Sequence, residues 1–129
     1  MQWGPYNSIK AIMVYHASRY ERVAIAARAN PAQARLGYLV AGTFMMLGIL
    51  DALSTNLALE AGAYEVNGFM RWLQEVLGPF WVVPKLMLQA LVAAMIVWSP
   101  NRPTIFIMVL TSAWIASVVM TNFILATVL

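Results

Sequence analysis

The sequence predicts an all-α membrane protein: three transmembrane helices, an N-terminal amphipathic interfacial helix, and a short outer helix that is interfacial or re-entrant. Three observations carry that prediction. Of the 129 residues, 62% are hydrophobic and only 10% charged, a composition outside the range of ordinary soluble domains. The mean hydropathy is +0.73. Three apolar runs, 36–59, 81–98 and 104–129, approach or exceed the length with which a helix rising about 1.5 Å per residue crosses a hydrocarbon core of about 30 Å. A single membrane domain over 1–129 is expected, with no room for a separate soluble catalytic domain. The chain has no cysteine, which excludes disulfides, thiolate metal sites and cysteine nucleophiles.

The first element is a helix over 8–29. At about 100° per residue, Ile9, Ile12, Met13, His16, Tyr20 and Val23 gather on one side, and Lys10, Ser18, Glu21, Arg22 and Arg28 lie opposite. Val14 and Ile25 interrupt the polar side, so a docked protein could cover it instead of water. Scattered basic residues and the lack of a compact apolar stretch argue against a cleavable signal. Asn30-Pro31 breaks the chain before the first span.

The first span, 36–59, is apolar except for Thr43, Asp51, Ser54, Thr55 and Asn56. A short helix over 67–77 follows. Asn67 can cap it, Phe69, Met70, Leu73, Val76 and Leu77 recur at helical spacing, and Gly78-Pro79 stops it. At that length it lies flat or dips into the bilayer. The second span, 81–98, carries Lys85 and Gln89 and is bracketed by Trp81 and Trp98, read as interfacial anchors. Ser99-Pro100-Asn101-Arg102-Pro103 makes a tight connection, and the third span, 104–129, runs without a charge.

Basic residues set the expected orientation. Residues 1–35 hold Lys10, Arg19, Arg22, Arg28 and Arg35 against one acid, Glu21, whereas the first connection holds Arg71 against Glu60, Glu65 and Glu75. The positive-inside rule places the N-terminus in the cytoplasm and the C-terminus outside, in a multi-pass protein of the bacterial inner membrane. No basic stripe with interleaved aromatics offers a nucleic-acid surface.

One polar constellation stands out. On the first span Phe44, Leu47, Gly48, Asp51, Ser54, Thr55 and Ala58 share a face. On the second, Trp81, Lys85, Leu88, Gln89, Val92 and Ile96 share another, while Asn56 points elsewhere. Each charge alone at the centre of a bilayer costs about 2.5–3.5 kcal/mol on insertion scales. A cluster of Asp51, Ser54, Thr55, Glu65, Asn67 and Lys85 is therefore expected in the outer half of the bundle. Asp51 or Glu65 would be the partner of Lys85.

These residues also carry a resemblance. Asp51-x-x-Ser54-Thr55-x-x-x-Leu59-x-x-Gly62-x-x-Glu65-x-Asn67, with Gly78 in the following turn and Lys85 early in the next span, resembles the pattern of a family of small prokaryotic integral membrane proteins of unknown function. The resemblance covers roughly 36–98. That family usually has proline after the asparagine, where this chain has Gly68. The resemblance implies that the cluster is one unit, and it implies no activity.

Two roles for the cluster compete: a structural one, fixing helix register, and an ion or proton site in which Asp51 and Glu65 change protonation or coordinate a cation beside Lys85. Catalysis is a third. His16 is the only histidine, which excludes a bis-histidine haem and a Ser/His/acid triad within the spans. No G-x-S-x-G is present, and a serine–lysine dyad lacks a nucleophile motif. No cofactor and no metal are expected. On the third span Thr111, Ser112, Ser117, Thr121, Asn122 and Thr127 spread around the helix and mark no transport path. Small and hydroxylated positions there suit helix packing, and Trp114 suits contact with lipid, pigment or another subunit. The leading expectation is a non-catalytic accessory or assembly subunit of a larger membrane complex, with a bioenergetic complex as one candidate host, contacting lipid and other subunits or itself. The alternative is a small proton- or cation-coupled transport component.

Overall fold

A computed structural model describes the backbone over residues 5–129 and the side chains of Ile12 and of residues 18–129. Five α-helices and one 3-10 turn follow in order: α1 (Pro5–Ala29), α2 (Pro31–Glu60), α3 (Gly68–Leu77), the 3-10 turn (Gly78–Trp81), α4 (Val82–Trp98) and α5 (Arg102–Val128). No strand occurs among the described residues. Three helical stretches, Pro31–Glu60, Gly68–Trp98 and Arg102–Val128, are long and apolar enough to cross a membrane.

Local chemistry sets the boundaries. Asn30 has an extended backbone and its Oδ1 accepts the N–H groups of Ala32 and Gln33, so α2 starts at Pro31, ahead of the apolar run at Leu36. Asn101 does the same for α5 by accepting Thr104 N–H at 3.0 Å. Gly62 and Gly78 carry the two positive φ angles among the described residues, 103° and 54°. They let the chain leave α2 and turn from α3 into the 3-10 segment without a Cβ clash.

Helix α2 is the hub. It packs along both α4 and α5, which scarcely approach each other. The end where α2 begins, α4 stops and α5 starts is called here the proximal end, and the other the distal end. Val40, Ala41 and Phe44 of α2 meet Ala93 and Ile96 of α4 and Ile105 and Met108 of α5 in one apolar core in the proximal half. Two glycines allow the close approach. A Cβ on Gly37 would come within 2.6 Å of the Pro100 side chain, and one on Gly48 would overlap the Gln89 carboxamide. Gln89 is buried there because its Nε2 donates to the Phe44 carbonyl at 2.8 Å.

Helix α1 touches the bundle near its C-terminal end, through contacts with α2 and α4. Among its described side chains Ala24 and Ala27 are buried, whereas Ile12, Tyr20 and Val23 of its expected apolar face are exposed. Ile9, Met13 and His16 have side chains outside the described residues. Helix α3 segregates Phe69, Trp72, Leu73 and Val76 from Arg71, Gln74 and Glu75 on opposite sides and has no buried residue. Its rings of Phe69 and Trp72 stack at 5.9 Å.

Candidate functional site

The polar residues of α2 fall on one face because Asp51, Ser54 and Thr55 are spaced three and four apart. Helix α4 runs antiparallel to α2 and places Lys85, in its first turn, opposite them. Lys85 Nζ donates to Asp51 Oδ2 at 2.5 Å, and the two side chains are 16% and 18% exposed.

Trp81, one turn before Lys85, completes this arm. Its ring centroid lies 5.3 Å from Lys85 Nζ, so the ammonium sits between a carboxylate and an aromatic face. The indole N–H donates to Asn56 Oδ1 at 3.2 Å. Trp81 is only 3% exposed, which corrects its expected place as a lipid-facing anchor; Trp98 is half exposed. Asn56 likewise does not point away from the site but holds the indole. Leu88, by contrast, is exposed and leaves the face on which it was expected.

The second arm comes from α5. Asn122 Nδ2 donates to Thr55 Oγ1 at 3.1 Å and lies 3.4 Å from Ser54 Oγ. Ser54 is fully buried and its hydroxyl donates to the Asp51 carbonyl at 3.2 Å. Asn122 thus ties α5 to the α2 face that α4 holds through Lys85. It was missed in the sequence because hydroxylated residues surround α5 without a pattern. The signal was present: Asn122 is the one carboxamide in 104–129, and an unpaired amide in hydrocarbon is costly.

Glu65 and Asn67 do other work. Glu65 Oε1 accepts Asn67 N–H at 2.9 Å and its Oε2 lies 3.5 Å from Gln74 Nε2. The Glu65 carbonyl accepts both Arg71 Nε and Nη2, at 3.1 and 2.8 Å. Asn67 Oδ1 caps α3 by accepting Phe69 N–H at 3.1 Å. Both residues organise the start of α3, and Lys85 is bonded to Asp51 rather than to Glu65.

A cavity of about 560 Å³ nevertheless joins the two groups. It opens at the distal end in the gap between α4 and α5, with α2 as its floor and the 63–67 segment above. Asp51, Thr55, Lys85 and Asn122 face Glu65 and Asn67 across it, and Leu59, Met70 and Leu125 give it an apolar rim. The arrangement can hydrogen-bond and hold charge. Among the described residues no three His, Cys, Asp or Glu side chains gather closely enough to hold a metal ion.

These features define a class: an all-helical protein with three helices fit to cross a membrane and an ion pair between two of them. Residues 43–128 match the family described as Domain of unknown function (DUF5658), and the chain belongs to that family. The match reaches beyond the 36–98 region of the sequence pattern and takes in α5 with Asn122. No curated protein and no solved structure matches the chain.

Proposed function

We propose that this chain is a non-catalytic integral membrane subunit that packs against a larger membrane assembly. The N-terminus lies in the cytoplasm, the C-terminus on the far side of a bacterial inner membrane, α1 along the near interface and α3 along the far one. One observation carries the reading: the polar groups within the bundle are satisfied by one another. Asp51 has Lys85, Ser54 and Thr55 have Asn122, Asn56 has Trp81, and Gln89 has the Phe44 carbonyl. The exception among buried side-chain atoms of the described residues is Ser112 Oγ. A self-satisfied network of this kind locks three helices in register.

The outer surface of α5 then carries the contact. Ser117 and Thr127 are exposed, and their hydroxyls are tied back to carbonyls of their own helix. They act there as small residues suited to a neighbouring helix. The test is extraction of native membranes in mild detergent, native electrophoresis and mass spectrometry of what migrates with the chain. A stoichiometric partner is expected, lost in Ala116→Trp on the exposed side of α5 and retained in Asp51→Asn/Lys85→Met. Migration as a lone chain overturns the reading.

The distal cavity favours a second reading, a proton- or cation-coupled transport component. Asp51, Glu65 and Lys85 all line it, and intramembrane carboxylates commonly mark ion pathways. That reading requires ion- or pH-driven flux in proteoliposomes, abolished by Asp51→Asn in a protein that remains folded.

A further inference from the structure

At the proximal end, a groove of about 700 Å³ runs between α1, α2 and α4. Arg28, in the last turn of α1, stands at its mouth with the guanidinium 5.7 Å from the centroid of the Trp98 ring. Below them Tyr38, Gly42 and Met45 of α2 face Ala94 of α4, and nearly all of the lining is apolar. From Ala34 to Met45 the groove follows α2 for about 16 Å at about 1.5 Å per residue. That is about one leaflet of a hydrocarbon core about 30 Å thick.

We propose that this groove is a binding site for one anionic glycerophospholipid, with its phosphate on Arg28 and an acyl chain laid against Gly42. The charge argument selects the headgroup. No carboxylate among the described residues pairs with Arg28, so among them its guanidinium, a planar fork of N–H donors, meets no anion. A planar fork of that kind takes phosphate oxygens two at a time. Arg35, also at this end, adds to the attraction for an anion, and Glu21 is the one acid on α1. Tyr38 and Trp98 are half exposed or more, as expected of rings at headgroup depth. Gly42 provides the seat: a Cβ there would meet nothing within 4 Å, so the space over it is open. The site depends neither on the proposed orientation nor on the subunit reading.

The test is native mass spectrometry of the full chain from nanodiscs of equal parts phosphatidylglycerol and phosphatidylcholine. One retained phosphatidylglycerol per chain is expected, in at least tenfold preference to phosphatidylcholine. Arg28→Gln removes the charge, and Gly42→Leu fills the seat while leaving Arg28 in place; each is expected to reduce retention at least tenfold. Arg102→Gln, at the same end but outside the groove, is expected to leave it unchanged. Equal retention of the two lipids, retention unaffected by Arg28→Gln and Gly42→Leu, or an equal loss in Arg102→Gln overturns the proposal.

Discussion

At the scale of single residues, the ion pair is asymmetric in its consequences. Removing one partner leaves the other charge part-buried without compensation, whereas removing both leaves two neutral groups of similar size. Lys85→Met or Asp51→Ala should therefore each destabilise the protein by about 1–3 kcal/mol, below the about 3–5 kcal/mol of a fully buried pair because both side chains retain some exposure. Asp51→Asn/Lys85→Met should cost less than either, and unfolding in mild detergent checks the ordering. Strictly additive losses would mean that the two groups do not act as a pair. Asn122→Leu should cost about 1 kcal/mol, typical of an interhelical hydrogen bond in a membrane. Asp51 and Lys85 were legible in the sequence because a charge inside an apolar run demands a partner. Asn122 and Asn56 were not, because a neutral amide can find a partner in many places and periodicity alone does not say which.

At the scale of elements, the approach of α4 to α2 depends on Gly48. A methyl group there would overlap the Gln89 carboxamide, and moving Gln89 breaks its bond to the Phe44 carbonyl. Gly48→Ala should therefore destabilise the bundle by about 1–3 kcal/mol, the cost of overpacking a filled core. Gly42→Ala meets open space and should be neutral or slightly stabilising, since alanine favours helix. Thermal unfolding of the two variants side by side separates these outcomes. The long helices were readable from length and composition and Asn67 from cap chemistry, whereas Asn30 and Asn101 were read only as breaks beside proline and cap α2 and α5 in the structure. The burial of Trp81 was not readable, because tryptophan suits both an interface and a bundle interior. Asn56 Oδ1, which accepts its indole N–H, and Lys85, over its ring, hold it in the interior.

At the scale of the whole molecule, the absence of cysteine makes the orientation accessible to a clean measurement. Ala32→Cys lies in the first turn of α2 and Tyr64→Cys in the segment after it, both at exposed positions. With intact spheroplasts, a membrane-impermeant maleimide should label Tyr64→Cys and not Ala32→Cys. The reverse pattern would place the N-terminus outside. No property of the backbone alone specifies this, since the three-helix packing is the same either way up, and the distribution of basic residues carries all of the orientation signal.

The hub position of α2 bears finally on biogenesis. The helix that both others need also precedes them in the chain, so it leaves the ribosome before α4 and α5. Lys85 arrives to find Asp51 already in place, and Asn122 to find Ser54 and Thr55. Because α4 and α5 scarcely touch, each can dock on its own. Synthesis from N- to C-terminus and assembly can therefore proceed in the same order, and the costly interval in which a charge waits in hydrocarbon without its counterpart is confined to the time between Asp51 and Lys85.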